Sequence, residues 1–316
     1  MRRLHRWPGL IAALFLSLVA LSGAALSVYP ALEVSVTAAT PADLSVAVLA
    51  ERVQTRHPGI EQIQRAPSGR ITAWWFENGL PGSAVIDPAT GADLAPADPD
   101  TAQRWLTNLH RSLFLGDGGR FAVAAGAVLI LGLALSGAAL VARRVGGWRR
   151  WFAPLRGPLA GRLHSQIARG AVLGLALSAL TALGMAAQTF ELLVIEPAAM
   201  PASQTVSGLD AMPPGRMPAL LATPVSELRE LTFPYPDDAA DVFTLTTVHG
   251  HGTIDQGTGE PLAWTTPGLA ERASALIYLL HTGQGAALLG LILGLGALSV
   301  PVLGVSGALV WWAGRP

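Results

Sequence analysis

The 316-residue chain contains no cysteine. Disulfides, thiolate metal sites, iron–sulfur clusters and covalent c-type haem attachment all need cysteine, so the sequence excludes all four. Charged residues are also scarce, at 13% against 51% hydrophobic residues, and the mean hydropathy is +0.44. This composition is too apolar for an ordinary soluble domain and indicates an integral membrane protein.

Acidic residues are missing from one long stretch. Ten acids lie from Glu33 to Asp117 and eleven from Glu191 to Glu271, but none lies between these two groups. The acid-free stretch contains a short arginine-rich loop, with arginines at 143, 144, 149, 150, 156 and 162. The positive-inside rule therefore predicts that this loop and both termini are cytoplasmic. Topology accounts for this charge, so we expect no nucleic-acid partner.

Four apolar runs, at 10–28, 121–141, 171–190 and 286–312, are each near the roughly 20 residues that a spanning helix needs. The sequence thus predicts four spans in contact with the lipid bilayer. A signal peptide is an alternative for the first run, because two arginines precede it and small residues follow it. The run is longer than the usual apolar region of a signal peptide, which favours a span.

A histidine precedes each apolar run, and its setting is repeated. The four are His5, His110, His164 and His281. Seventeen positions separate His5 from Ser22 and His164 from Thr181, while 26 separate His110 from Ser136 and 25 separate His281 from Ser306. Spans one and three therefore match, as do spans two and four. This pattern predicts a parallel internal repeat about an axis along the membrane normal.

The segments between spans one and two and between spans three and four also resemble each other. Both contain Ile-Asp-x-x-Thr-Gly, at 86–91 and at 254–259. A β-branched run closed by Asp and Gly is typical of a strand that enters a tight turn. We therefore expect a membrane α-helical fold with two small periplasmic α+β domains.

The predicted domain boundaries follow from these patterns. They are transmembrane helix 1 at 1–29, a first periplasmic domain at 30–108, transmembrane helix 2 at 109–143, the cytoplasmic arginine-rich loop at 144–162, transmembrane helix 3 at 163–192, a second periplasmic domain at 193–274 and transmembrane helix 4 at 275–316.

The four histidines form two pairs at matching depth. His5 and His164 each begin an outward span and His110 and His281 each begin an inward span, so the pairs lie near opposite membrane faces. Two facing imidazoles are what bis-histidine haem ligation requires, and polar residues at membrane depth are by default functional. We expect two haem b groups, one for each pair. An interfacial histidine without a ligand is the alternative reading for any one of them.

Arginines accompany these histidines in the sequence. Arg6 follows His5, Arg111 follows His110, and Arg162 and Arg169 flank His164. Guanidinium groups pair well with carboxylates, so we expect these four to bind haem propionates.

Several motifs resemble the PepSY-associated transmembrane helix family over essentially the whole chain. They are the Leu-His-Arg-Trp start, LHRSLFLGDGGR before span two, GRLHSQIARGAV before span three, and VIDPATGADL. The resemblance implies an iron-regulated inner-membrane protein, and some members are similar to di-haem ferric-siderophore reductases. It implies haem ligation by His5, His110, His164 and His281, and PepSY-like outer domains of the kind that elsewhere bind or restrain peptidases.

We therefore expect a bacterial inner-membrane electron-transfer protein, a haem-dependent transmembrane ferric reductase. A cytoplasmic flavoprotein or quinol would supply electrons, and a periplasmic ferric siderophore or other ferric chelate would accept them. The sequence has no flavin or nicotinamide fingerprint, so the donor is separate unless this chain is a piece of a longer one. The alternative function is a membrane-anchored PepSY binding module that regulates a periplasmic peptidase without a redox role.

Weaker signals receive structural interpretations. His249 and His251 are predicted to share one face of a strand, which we interpret as a polar face, since two histidines alone make a weak metal site. His57 precedes Pro58-Gly59 and is predicted to be a solvated turn residue. Asp87 and Asp255 are predicted to shape turns.

Overall fold

A computed structural model describes residues 1–98, 101–196 and 205–314. The chain divides into two compact units. The helical unit comprises Met1–Leu32, Asp100–Val194 and Ser274–Pro316, and the sheet unit comprises Glu33–Pro99 and Ile195–Ala273.

Each half of the chain contains helices, then four consecutive strands, then two further helices. The α-helices are α1 (Arg2–Leu26), α2 (Tyr29–Val36), α3 (Val46–Arg56), α4 (Thr101–Ser112), α5 (Gly116–Val145), α6 (Leu159–Thr189), α7 (Pro218–Leu221), α8 (Leu269–Thr282) and α9 (Ala287–Ala313). The strands are β1 (Ile60–Arg65), β2 (Ile71–Glu77), β3 (Leu80–Ile86), β4 (Asp93–Pro96), β5 (Leu228–Thr232), β6 (Val242–Thr247), β7 (His251–Asp255) and β8 (Pro261–Thr265).

Four helical segments are long and apolar enough to cross a bilayer: Arg2–Val36, Gly116–Val145, Leu159–Thr189 and Ala287–Ala313. The apolar 18-residue stretch within each has a mean hydropathy of 2.3, 2.3, 1.8 and 2.3, respectively. Each overlaps one of the predicted apolar runs. The first two extend beyond their runs at both ends and the third extends well before its run, because these helices continue into polar flanks, whereas the fourth matches its run to within one residue. The four predicted spans are confirmed, and the protein is a multi-pass membrane protein.

Spans two and four are each preceded by a short helix that a break separates from the span. Between α4 and α5 the backbone of Leu113 and Phe114 is left-handed, with φ of 52° and 60°. Between α8 and α9, Gly283 and Gly285 take φ of 70° and 75°. Left-handed residues end an α-helix. The predicted segments 109–143 and 275–316 therefore each contain two helices, and the first break lies just before the glycine-rich start of α5.

The spans form a bundle in which α1 contacts α5 and α9, and α6 contacts the same two helices. Small residues allow α1 and α9 to approach closely. A Cβ added at Gly294 would collide with Ser27, and one added at Gly290 would lie 3.0 Å from the Ser27 carbonyl oxygen. Gly290 and Gly294 are four residues apart on α9, which is the small-xxx-small spacing of helix pairs in membranes.

The sheet unit contains one antiparallel sheet with the strand order β4-β3-β2-β1-β5-β6-β7-β8. This corrects the prediction of two separate α+β domains. Each half supplies a four-stranded meander, and β1 pairs with β5 through Ile63 and Leu231. An unpaired edge strand exposes a row of backbone hydrogen-bonding groups, and this pairing covers both inner edges at once.

Helix α3 and the short α7 contribute to the core on one face of the sheet. Val46, Leu49 and Val53 of α3 are fully buried, and Leu220 of α7 joins them. Ser45 caps the start of α3 by accepting a hydrogen bond from the Val48 N–H at 3.4 Å.

The two Ile-Asp-x-x-Thr-Gly motifs form equivalent turns, as predicted. The Gly91 N–H donates to the Asp87 carbonyl at 2.7 Å, and the Gly259 N–H donates to the Asp255 carbonyl at 2.8 Å. Burial alone would raise the pKa of Asp255, but hydrogen bonds from Ser207 and Thr258 outweigh it and lower the pKa well below its usual range.

The prediction that His57 is a solvated turn residue is wrong. His57 is buried, its ring stacks on Trp75 at 3.6 Å between centroids, and its Nε2 lies 3.0 Å from Asp93 Oδ1. The sequence around Pro58-Gly59 marked the end of α3 but carried no sign of the strand that packs over it.

Candidate paired-histidine sites

The structure brings the four histidines together as two pairs. The ring centroids of His5 and His164 are 6.3 Å apart, and those of His110 and His281 are 6.2 Å apart. The ring planes meet at 81° in the first pair and 35° in the second. All four side chains are half-buried within the helical unit. These pairs match the sequence prediction.

Each histidine is held by a hydroxyl on a neighbouring spanning helix. His5 Nδ1 lies 2.9 Å from Ser136 Oγ, and His164 Nδ1 lies 3.0 Å from Ser306 Oγ. In the other pair, His110 Nδ1 lies 3.2 Å from Ser22 Oγ, and His281 Nδ1 lies 3.1 Å from Thr181 Oγ1. Within the described part of the chain, every hydrogen bond made by these four rings uses Nδ1.

The contacts are reciprocal within two helix pairs. His5 of α1 reaches Ser136 of α5, while His110 of α4, just before α5, reaches Ser22 of α1. The same exchange joins α6 and α9 through His164 and His281. Histidines near one end of a helix thus meet hydroxyls near the far end of an antiparallel neighbour.

A glycine follows three of the four hydroxyl residues and lies against an imidazole edge. A Cβ added at Gly23, Gly137 or Gly307 would lie 2.7, 3.1 or 3.4 Å from Cε1 of His110, His5 or His164. The first distance would force a shift, the second would require the His5 ring to give way by a few tenths of an ångström, and the third is an ordinary contact. In the fourth copy Ala182 follows Thr181. The Ser-Gly dipeptide therefore supplies a hydroxyl for Nδ1 and room for the ring.

The two pairs lie at opposite ends of the bundle. His5 and Ser22 are 17 residues apart on α1, and each belongs to a different site, so the sites are separated by about 26 Å along the helix axis. We call His5 and His164 the loop-side pair, because they lie at the end of the bundle where residues 146–158 connect the end of α5 to the start of α6. His110 and His281 are the break-side pair, since each lies in the last turn of the short helix before a break.

Two arginines near the loop-side pair, Arg144 and Arg169, make hydrogen bonds that join the connecting loop to α6. Arg144, which the sequence gave no reason to single out, donates to Ser165 Oγ at 2.8 Å and to the carbonyl oxygens of Gly161 and Arg156. Arg169 is buried and donates to the Ala153 carbonyl at 2.9 Å, while its Nε has no partner among the described residues. Both arginines fix the connecting loop onto the start of α6.

The other arginines expected at the sites are exposed on the surface of the protein. Arg6 is exposed and lies over the Trp7 ring at 5.0 Å, and Arg111 and Arg162 are exposed as well. Their expected role toward a propionate stays a prediction.

His249 and His251 do not share a strand face. His251 begins β7, whereas His249 lies in the turn before it, with its Nε2 3.6 Å from Glu227 Oε1 at the surface. The turn residues 248–250 end the strand earlier than the alternating pattern suggested. Among the residues that the structure describes, no group of three or more His, Cys, Asp or Glu residues is arranged to hold a metal ion.

Sequence reasoning missed the hydroxyl partners, although it used the same residues. Ser22, Thr181, Ser136 and Ser306 defined the spacing of the repeat, yet their contact with histidines of other helices depends on how the helices pack. Their recurrence at matching spacings in the two halves, 17 and 17 residues or 26 and 25 residues from a histidine, was the signal that they share one role.

The comparisons with known proteins agree with this architecture. No curated protein matches the chain. The family described as the PepSY-associated TM region does match, over residues 2–313 and thus nearly the whole length. The chain therefore belongs to the PepSY-associated transmembrane region family.

Proposed function

We propose that this protein is a di-haem b electron-transfer protein of a bacterial inner membrane, with one haem between His5 and His164 and the other between His110 and His281. It would act as a transmembrane ferric reductase. A cytoplasmic flavoprotein or quinol would be oxidised, and a periplasmic ferric siderophore or other ferric chelate would be reduced by one electron per ferric ion.

The separation within each pair carries the proposal. A metal–imidazole nitrogen bond is about 2.0–2.1 Å long and the nitrogen lies about 1.1 Å from the ring centre, so two imidazoles on opposite sides of one metal have centroids about 6.2–6.4 Å apart. The separations in the structure are 6.3 and 6.2 Å. Both pairs therefore have the spacing expected of two imidazoles that would hold one metal between them.

The residues around each histidine pair favour a metal that is already held by a prosthetic group. A bare divalent ion takes four or more protein or water ligands, and the described residues near each pair offer two imidazoles in an apolar bundle. Haem supplies four porphyrin nitrogens and one-electron redox chemistry when bound. His5 with His164 and His110 with His281 would hold the group through their imidazoles, and the surrounding apolar residues would exclude water.

The placement of the pairs suits transfer across a membrane. The roughly 26 Å between the sites along α1 is close to the ~30 Å thickness of the hydrocarbon core, so each pair would lie near one face. A single site would not connect the two sides.

A spectrum of the purified full-length chain tests the proposal. We expect b-type absorption bands after dithionite reduction, and loss of part of them in His110→Ala and in His281→Ala. His249→Ala, which alters a surface histidine, serves as the control. Unchanged bands in both site variants would overturn the assignment, and a haem-free protein would instead favour the peptidase-regulating alternative.

The acceptor is tested separately. Pre-reduced protein mixed anaerobically with a ferric hydroxamate or ferric citrate should be oxidised, as followed by the loss of the reduced bands. A reduced spectrum that persists with every ferric chelate would contradict the reductase role while leaving haem binding intact.

Sidedness can be tested with introduced cysteines, because the chain has none of its own. Phe152 lies in the arginine-rich loop and Leu80 in the hairpin between β2 and β3, and both are exposed at 87% and 70%. We expect a membrane-impermeant thiol reagent to label Leu80→Cys in intact spheroplasts and Phe152→Cys only after lysis. The reverse labelling would overturn the proposed cytoplasmic termini, since α1 begins and α5 ends on the same side of the bundle.

A further inference from the structure

The four hydroxyls that contact the histidines have already used their single protons. Each donates to a carbonyl of its own helix. Ser136 Oγ donates to Gly132 at 2.6 Å, Ser306 Oγ to Val302 at 2.7 Å, Ser22 Oγ to Val19 at 2.8 Å and Thr181 Oγ1 to Leu177 at 2.8 Å.

A hydroxyl has one donor and two acceptor lone pairs, so each oxygen can only accept from the imidazole it faces. The Nδ1 atom must therefore carry the proton. His110 gives independent support, because its Nδ1 also lies 2.9 Å from the Val19 carbonyl oxygen, and a carbonyl cannot donate. In a neutral imidazole the other nitrogen, Nε2, then holds the lone pair that binds a metal.

We propose that Ser22, Ser136, Thr181 and Ser306 are positioning residues that hold the four imidazoles in the Nδ1–H tautomer, with the Nε2 lone pair of each ring available to a metal. The inference rests on the proposed di-haem function and deepens it. It assigns a role to residues that lie on different helices from the histidines they orient.

The hydroxyls would also set the strength of the axial ligands. A hydrogen bond accepted from Nδ1–H makes Nε2 more basic and stabilises the more highly charged metal. Removing the acceptor should therefore loosen haem and favour the ferrous state. Because each hydroxyl is anchored to its own backbone, the ring orientation is also fixed.

Ser136→Ala is the first test, and Ser299→Ala on α9 is the matched control. Ser299 Oγ also donates to a carbonyl of its own helix, Gly296, but it contacts none of the four histidines. We expect Ser136→Ala to weaken haem retention about 10–100-fold at the loop-side pair, as for other outer partners of metal-ligating histidines. We also expect a higher reduction potential and an altered electron paramagnetic resonance spectrum of the ferric haem at that pair.

Rescue separates positioning from a general packing effect. Ser136→Thr restores the hydroxyl and should recover the wild-type potential and spectrum, since a threonine, Thr181, already contacts His281 in the same way. Circular dichroism and the thermal unfolding midpoint of the haem-free proteins should be the same for all three variants and the wild type, since haem itself would shift the midpoint.

The outcomes divide cleanly. If the wild type holds haem and Ser136→Ala matches Ser299→Ala in retention, potential and spectrum, the positioning role is wrong and the di-haem proposal stands. If the wild type holds no haem, the di-haem proposal fails. The tautomer is then decided by nitrogen-15 magnetic resonance of histidine-labelled haem-free protein, where an Nε2–H signal for His5 would overturn the inference. An Nδ1–H signal that moves in Ser136→Ala would support it.

Discussion

The two halves of the chain, 1–145 and 159–314, share one order of main elements. They differ in the helices that pack on the sheet but agree at the histidine sites. Each half contributes a long helix, four strands, a short helix that ends near a histidine, and a second long helix. On the sheet, the first half contributes the 11-residue α3 and the second the four-residue α7. In the histidine-bearing segments, by contrast, the spacing from histidine to hydroxyl is 17 residues in both long first helices and differs by only one residue, 26 against 25, in the second. The repeated feature is the geometry that holds the imidazoles.

The turns of the sheet unit show the same contrast on a smaller scale. Asp87 and Asp255 close equivalent turns, yet only Asp255 is almost fully buried, with 2% of its surface exposed. The reason is Ser207, whose N–H and hydroxyl donate to the Asp255 carboxylate at 2.7 and 2.8 Å. A common turn motif has thus acquired an additional partner in one half.

The largest expected effect comes from two double variants: one replaces both histidines of the same pair, and the other replaces one histidine of each pair. His5→Ala with His164→Ala removes both ligands of one proposed site and should leave the other haem in place. His5→Ala with His281→Ala takes one ligand from each site and should abolish both bis-histidine spectra. Haem content and the reduced-minus-oxidised spectrum measure this, and equal loss in the two doubles would show that the halves do not share their sites.

The next effect concerns the glycine that follows each hydroxyl. Gly23→Ala should displace the His110 ring, because the new Cβ would lie 2.7 Å from Cε1, whereas Gly307→Ala meets His164 at an ordinary 3.4 Å. Overpacking of this kind costs about 1–3 kcal/mol. We expect weaker haem retention at the break-side pair in Gly23→Ala and a near wild-type spectrum in Gly307→Ala. Identical behaviour of the two would show that ring space does not limit the sites.

Asp255→Asn should destabilise the sheet unit more than Asp87→Asn. Hydrogen bonds to a charged group are worth about 1.5–3 kcal/mol, and Asp255 accepts several of them while buried. Unfolding of the full chain in detergent, followed by circular dichroism, measures the difference.

The effect at Asp255 should depend on pH with a defined sign. The folded-state pKa is lowered, so the stabilisation is fully present above the unfolded value of about 3.9 and is lost as the pH falls through the lower folded value. The gap between the wild type and Asp255→Asn should be constant near neutral pH and shrink below about pH 4. A gap that widens with acid would contradict this assignment.

The smallest expected effect is at the N-terminal cap of α3. The counterpart of this helix in the second half, α7, has only four residues. Ser45→Ala removes the acceptor for the Val48 N–H and should cost about 0.5–1 kcal/mol, toward the low end because the bond is 3.4 Å long. Thr55→Ala on the exposed side of α3 is the control. A loss as large as that of Asp255→Asn would show that α3 is less supported by its core contacts than its burial indicates.

Much of the membrane fold could be predicted, because apolar length and charge asymmetry act locally. The four spans, the equivalent turns at Asp87 and Asp255 and the two histidine pairs all follow from patterns within short windows or from their repetition. The break before α9 was missed, although Gly283 and Gly285 carry left-handed backbone.

The remaining features depend on contacts between distant residues. Pairing of β1 with β5 merges two predicted domains into one sheet, and no local pattern specifies which edges meet. His57 is buried only because Trp75 and Asp93 of the sheet close around it.

The sequence by itself determined four apolar spans, a histidine at the start of each, and a hydroxyl at a repeated distance, since hydropathy and periodicity are properties of the chain. Only the tertiary structure decided that each hydroxyl serves the histidine of an antiparallel neighbour. The reason is geometric: a hydrogen bond of about 3 Å between helices depends on their packing and rotation, which the spacing along one helix does not record.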